Sequence, residues 1–164
     1  MTLRVGILTL SDRAASGERA DASGPALAEL IRAQSWSVTK QVILPDDESA
    51  IRATLIEWTD IGQLDMILTT GGTGFAPRDV TPEATRAVIQ RDAPGLAEAM
   101  RAESLKKTPH AMLSRAVTGI RGRTLIVNLP GSPKGALENL QTILPVLPHA
   151  IQLLTDDPGS EAAH

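Results

Sequence analysis

TTGGTGFAPRDVTPEA, residues 69–84, is the stretch on which the fold turns. It grows out of LDMILTT (64–70), an apolar run with the length and density of a strand buried on both faces. Gly71, Gly72 and Gly74 then let the backbone take positive φ and approach a ligand with no Cβ in the way. Thr81-Pro82-Glu83 has the chemistry of a helix start, with Thr81 as N-cap and Pro82 at the first helical position. A buried strand, a glycine-rich turn and a helix, in that order, are the building unit of a parallel α/β sheet.

The flanking sequence repeats that alternation. LRVGILTLS (3–11) and WSVTKQVIL (36–44) are predicted strands, the second stopped by Pro45. Between them SGPALAELIRA (23–33) is a predicted helix, with Ser23 as N-cap and Leu27, Leu30 and Ile31 on one face. Asp46 or Asp47 caps a helix through 48–59, whose buried stripe is Ile51, Leu55 and Trp58. Further helices are expected from Thr81 and over 95–107. AVTGI, a turn at Arg121-Gly122 and TLIVNLP give two more strands. The stretch 133–154 is helical in pattern but broken near Pro145 and Pro148. The expectation is α/β: a three-layer α/β/α fold with a mostly parallel sheet, as one domain over 1–154 with a flexible tail at 155–164.

Composition narrows the function. At 164 residues the chain has room for one sizeable core but not two. Only 2% of residues are aromatic, which argues against stacking single-stranded nucleic acid. A net charge of -3 argues the same way, because a phosphate backbone selects a basic face. With no cysteine, disulfides, thiolate catalysis and Cys-ligated zinc are excluded. His110, His149 and His164 show no ligand spacing. No run has the length of a membrane span and no charged-then-apolar leader opens the sequence, so a soluble, cytoplasmic protein is expected.

Ligands of open α/β sheets sit beyond the carboxyl ends of the strands. Three predicted strands end in similar small-residue turns, TLSD (9–12), TTGGTG (69–74) and NLPGSPK (128–134), and together they predict one pocket. Backbone N–H groups of the glycine turn, with the hydroxyls of Thr69, Thr70 and Thr73, can line an anion site. The sequence is neither G-x-x-x-x-G-K-[ST] nor G-x-G-x-x-G, so neither named nucleotide fingerprint applies. Asp79 just beyond the glycines is where a Mg2+ bridging phosphate oxygens would be held, or else it is a helix-start residue. Asp46 and Asp47 offer a second carboxylate. Lys134 can meet phosphate charge or stand exposed, and Asp12-Arg13 can be a surface ion pair.

These motifs carry a resemblance. TTGGTG followed by RDVTPEA, with TLSDRAASG, LPDDE, LSRAV and NLPGSPKGA, resembles the MogA/MoaB family of molybdenum-cofactor biosynthesis, to which the corresponding domain of gephyrin is related. The match runs from about residue 3 to residue 154. It implies a molybdopterin adenylyltransferase, which moves AMP from ATP to the terminal phosphate of molybdopterin with Mg2+ assistance and releases pyrophosphate. By resemblance Asp46 and Asp79 are the catalytic and metal-holding acids. Gly71, Gly72, Thr73 and Gly74, with Asn128, Gly131 and Ser132, are the nucleotide-binding turns. Ser114, with neighbouring Arg115, contacts molybdopterin. The doubled acid at 46–47 leaves open which of the two faces inward. The resemblance also implies a homotrimer or hexamer and a molybdenum insertase downstream. A second branch of the same family implies a non-enzymatic pterin-binding or assembly subunit.

Overall fold

The computed structural model describes residues 1–155. In chain order the elements are β1 (Arg4–Leu10), a single turn α1 (Asp12–Ala15), α2 (Ser23–Ala33), β2 (Ser37–Leu44), α3 (Glu48–Asp60) and β3 (Met66–Thr70). Next come α4 (Thr81–Val88), the two-residue β4 (Arg91–Asp92), α5 (Pro94–Leu105) and a 3-10 turn at Pro109–Leu113. The described chain ends with β5 (Thr118–Arg121), β6 (Thr124–Leu129), α6 (Pro133–Ile143), a 3-10 turn at Leu144–Val146 and α7 (Leu147–Leu154). The expected tail lies outside the described residues from 156 onward. Among the described residues no helix is long and apolar enough to cross a membrane.

The strands form one sheet in the order β2-β1-β3-β6-β5-β4. β2, β1, β3 and β6 run parallel, while β5 is antiparallel to both β6 and β4. The expected mostly parallel α/β/α sandwich is therefore what forms. The parallel strands alternate their side chains between two cores, as a period of two requires. Val5 and Ile7 of β1 and Met66 and Leu68 of β3 face the layer of α2, α5, α6 and α7. Leu8, Leu10 and Ile67 face the layer of α3 and α4. All five residues of β3 are buried, which is why its sequence shows no polar alternation.

Helix starts differ from expectation in two places. The Ser23 backbone is already helical, and the capping group is the side chain of Asp21, whose Oδ1 accepts from the Gly24 N–H at 3.0 Å. Thr81 likewise lies inside α4, after Val80, and caps nothing. Its hydroxyl instead donates to the carbonyl of Gly71 at 2.9 Å. Thr81 cannot cap because its own backbone already belongs to the helix, and its hydroxyl proton ties the helix start to the glycine turn instead. Pro82 falls within the first turn, as its fixed φ and missing N–H favour.

Candidate active site

Because β1, β3 and β6 are adjacent and parallel, their carboxyl-terminal turns lie side by side. The contact between them is close. Gly71, at φ 104°, donates its N–H to Leu129 O at 3.1 Å, and a Cβ at this position would sit 2.2 Å from Leu10 O. A Cβ on Gly131 would lie 3.3 Å from Gly71 Cα. Thr70 Oγ1 donates to Pro130 O at 2.7 Å, tying the β3 turn to the β6 turn. Thr81 N–H donates to Gly72 O at 3.2 Å and folds the loop back onto α4. The glycines are needed here because three backbones occupy the space of two.

Two clefts open on this edge, where one was expected. A cleft of about 330 Å3 is lined by Thr9, Ser11, Asp21, Thr70, Gly131 and Ser132, among others. A second, of about 320 Å3, is lined by Thr73, Gly74, Arg101, Ser114, Ser132 and Asn139, among others. They share Ser132, so the β6 turn is a ridge between them. Ser132 Oγ accepts from Gly135 N–H at 3.1 Å as the N-cap of α6 and keeps its own proton to donate.

The choice between the two acids at 46–47 resolves in space. Asp47 is exposed and caps α3, accepting from Ala50 N–H at 2.8 Å. Asp46 is half-buried and turns to the glycine loop. Its Oδ1 is buried with no hydrogen-bond partner, 3.0 Å from where a Cβ on Gly72 would stand. On the other side of the loop, Asp79 Oδ2 lies 2.9 Å from the corresponding point at Gly74 and accepts from Ala76 N–H at 3.0 Å. The two carboxylates thus flank the 71–74 turn. Burial pushes the Asp46 carboxyl above its ordinary range; the hydrogen bond from Asp12 and the charge of Arg78 oppose this, and the charges of Asp12 and Asp79 add to it.

Asp12 is not paired with Arg13. It takes a bidentate contact from Arg78, Nε to Oδ2 at 2.9 Å and Nη2 to Oδ1 at 2.8 Å. That guanidinium, then the Asp46 backbone N–H, holds the Asp12 carboxyl below the usual range. Lys134 is exposed, its ammonium 4.0 Å from Glu138.

Other expected site residues take different places. Asn128 is fully buried behind the loop, not in it. Its Oδ1 accepts from Val117 N–H at 3.1 Å, and its Nδ2 donates to Thr69 Oγ1 at 3.0 Å and Thr85 Oγ1 at 2.9 Å. An amide with both ends in use has no atom left for a nucleotide, so Asn128 is a staple between β6, β3 and α4. The Thr69 and Thr70 hydroxyls are likewise engaged within the fold, by Asn128 Nδ2 and Pro130 O, while Thr70 also borders the first cleft. Of the three threonines only Thr73, 7% exposed, lines the second cleft. Ser114 also lines it, with Oγ accepting from Ala116 N–H at 3.4 Å.

Arg115 is a clamp on the glycine loop, its guanidinium committed mainly to acceptors of that loop and of α4. Nε donates to Gly74 O at 2.7 Å, Nη2 to Asp79 O at 2.7 Å, and Nη1 to both Glu83 oxygens at 2.8 and 3.0 Å. The arginine that lines the second cleft is Arg101, whose Nη1 donates to Ala116 O at 3.0 Å. Nothing in the local sequence of a helix marks it. Asp21, which accepts from Thr9 Oγ1 at 2.8 Å in the first cleft, was also missed. Its signal was an acid just before Ser-Gly at a helix start.

Among the described residues no three acidic or histidine side chains gather closely enough to hold a metal by themselves. The residues nonetheless suit a hard cation. An orphaned, partly desolvated carboxylate oxygen on Asp46 and a second carboxylate beside it make an all-oxygen donor set. Mg2+ is commonly bound by one or two carboxylates, with substrate phosphates and waters completing its shell.

A mostly parallel α/β sheet with paired clefts and two carboxylates at its carboxyl edge defines an α/β domain with its ligand site at the carboxyl ends of the strands. Residues 6–149 match the family model of the probable molybdopterin binding domain, and the chain belongs to that family. It is 43% identical over 155 residues to a molybdopterin adenylyltransferase of Helicobacter pylori, covering 93% of this chain and 88% of that protein. It is 47% identical over 158 residues to the molybdenum cofactor synthesis protein cinnamon of Drosophila melanogaster, covering 95% of this chain but spanning only 26% of that longer protein. Among solved structures, the molybdopterin biosynthesis enzyme MoaB of Thermus thermophilus superposes with a TM-score of 0.90 at 54% identity, covering 96% of this chain and 99% of the other.

Proposed function

We propose that this protein is a molybdopterin adenylyltransferase, a nucleotidyltransferase that joins AMP from ATP to the terminal phosphate of molybdopterin. The observation that carries the reading is the Asp46 carboxylate, with its buried, unpartnered Oδ1 against the glycine loop and Asp79 on the loop's other side. A desolvated acceptor with no partner costs free energy unless a ligand satisfies it. The adenylyltransferase of Helicobacter pylori, similar over nearly its whole length, supports the same reading.

In the reaction, an oxygen of the pterin's terminal phosphate forms a bond to the α-phosphorus of ATP. The bond from that phosphorus to the bridging oxygen breaks, and the electron pair leaves with pyrophosphate. Such transfer needs positioning and charge neutralisation more than a covalent catalyst. Asp46 and Asp79 would hold Mg2+, which when bound neutralises charge on the phosphate oxygens. The exposed turn at Gly131 and Ser132 and the loop at Gly72, Thr73 and Gly74 orient ATP phosphates through N–H and hydroxyl donors, while Gly71, whose N–H is held by Leu129 O, shapes the turn by its positive φ. Ser114, with Arg101 in place of Arg115, receives molybdopterin in the second cleft. The shared Ser132 ridge lets the two substrates approach one another from opposite sides. The unit that does this is residues 1–154.

The same reading gives a cytoplasmic homotrimer or hexamer that passes its product to a molybdenum insertase. An apolar groove of about 490 Å3, lined by Leu96, Ile120, Leu125, Leu153 and Leu154 among others, supports a closed symmetric assembly. Light scattering returning a clean monomer mass would reject the assembly alone.

The functional test is pyrophosphate release with molybdopterin, ATP and Mg2+. Asp46→Asn and Asp79→Asn should each lower turnover about 10²–10³-fold, as loss of one electrostatic stabiliser does. Asparagine at 79 can still accept from Ala76 N–H, so melting should barely move. A parental rate for both variants would reduce the carboxylates to loop residues and leave a pterin-binding subunit without chemistry.

A further inference from the structure

The ion pair between Arg78 and Asp12 joins residues 66 apart in sequence and stands at the edge of the site without entering either cleft. As a source of stability it is weak, because the two side chains are 67% and 41% exposed. Its geometry is more specific than its energy. Asp12 Oδ1 receives the Arg78 guanidinium and, in addition, the N–H of Asp46 at 3.0 Å. The Asp12 N–H in turn donates to Asp46 Oδ2 at 3.2 Å. Asp46 is therefore held reciprocally, by its own amide and by one carboxylate oxygen, and Oδ1 is the oxygen left over.

We propose that Arg78 and Asp12 form a positioning pair that fixes the orientation of the Asp46 carboxylate and references it to Asp79. The inference rests on the reading that Asp46 takes part in adenylyl transfer. Arg78 immediately precedes Asp79 in the glycine loop, so one guanidinium registers the loop acid against the acid that follows β2. A bidentate arginine fork fixes direction as well as distance, which a single lysine charge cannot do. Asp12 opens α1 just past β1, between the two, and transmits that direction to the Asp46 backbone through its shared Oδ1 and to the Asp46 carboxylate through its own N–H. Neither Arg78 nor Asp12 needs to touch a substrate.

The test uses Arg78→Met, Arg78→Lys and Asp12→Asn, each alone and combined with Asp46→Asn. Turnover, KM for molybdopterin, thermal melting and calorimetric affinity for ATP with and without Mg2+ are measured. Arg78→Met and Asp12→Asn should lower kcat about tenfold, the scale seen when partners that orient a metal-holding group are lost. KM for molybdopterin should stay within about twofold and melting within about 4 °C of the parent. Affinity for ATP should weaken severalfold in Mg2+ and stay unchanged without it. Arg78→Lys should recover part of the rate. In the Asp46→Asn background neither substitution should cost anything further, because residues acting through one group are non-additive. Full additivity, or an unchanged kcat for Arg78→Met beside an inactive Asp46→Asn, overturns the positioning pair alone. A fully active Asp46→Asn overturns adenylyl transfer through this carboxylate, and the pair with it.

Discussion

Replacing Gly71 by alanine should damage the protein out of proportion to one methyl group. At φ 104° the residue lies where L side chains are strained, and the added Cβ would meet the backbone carbonyl of Leu10 at 2.2 Å. That contact is more than about 1 Å inside van der Waals distance, and a backbone oxygen cannot rotate away as a side chain would. Strained φ contributes about 1–3 kcal/mol and overpacking a further 1–3 kcal/mol, so about 2–6 kcal/mol is expected. Relief would require β1 and β3 to part at their carboxyl ends, which breaks the platform for both clefts. At about 2–4 °C per kcal/mol for a chain of this size, melting should fall by roughly 4–24 °C. Gly95→Ala is the control. It lies in the first turn of α5 with nothing within 4 Å of the new methyl, and should be neutral or gain about 0.4–1 kcal/mol. Differential scanning fluorimetry on both variants decides it. A Gly71→Ala protein melting within about 2 °C of the parent would refute the close approach of the turns.

Arg115→Met should cost about 2–3 kcal/mol through lost charged hydrogen bonds and speed amide exchange across 73–80, read by denaturant titration and hydrogen exchange. Protection in β1 and β3 should persist. Asp47→Ala should lose about 1 kcal/mol by uncapping α3, with turnover within twofold of the parent, seen in parallel melts and pyrophosphate assays. Asp60, whose carboxyl is held below its ordinary 3.8 by hydrogen bonds from Arg121, gives a pH dependence. A depressed acid stabilises the fold above its unfolded value and loses that contribution as pH falls through the folded one. The stability gap between parent and Asp60→Asn should thus be present at pH 7 and close below about pH 3.8, as urea midpoints would show.

The buried parallel strands were legible because each is apolar on both faces and bounded by small polar residues. β4 was not, since Arg91 and Asp92 are both exposed and two residues carry no pattern. The glycine turn and its flanking acids were also visible, but not which neighbours would consume each other. Asn128 before Pro-Gly looks like a turn residue, yet it is the penultimate residue of β6 and its amide is spent inside the fold. Arg115 beside Ser114 looks like an anion ligand until four acceptor atoms from the glycine loop and α4 converge on it. Asp46 and Asp47 are separable only by direction, as one points along a helix axis and the other into a loop. Arg78 and Asp12 belong to motifs on different strands, and nothing short of the sheet order brings them together.

The division of the core into two layers has an optical consequence. The chain has two tryptophans, no tyrosine and one phenylalanine, so its near-ultraviolet signal comes almost entirely from the indoles. Trp36 belongs to the core beneath α2, α5, α6 and α7. Trp58 belongs to the opposite core beneath α3 and α4, with the Lys40 ammonium 5.6 Å from its ring centroid. Each face of the sheet therefore carries its own fluorophore, in its own electrostatic surroundings. Single-tryptophan versions made by Trp36→Phe and Trp58→Phe would report the loosening of one helical layer at a time. Coincident transitions mean that the sandwich parts as a unit, and separated ones that a face can detach while the other still holds the strands.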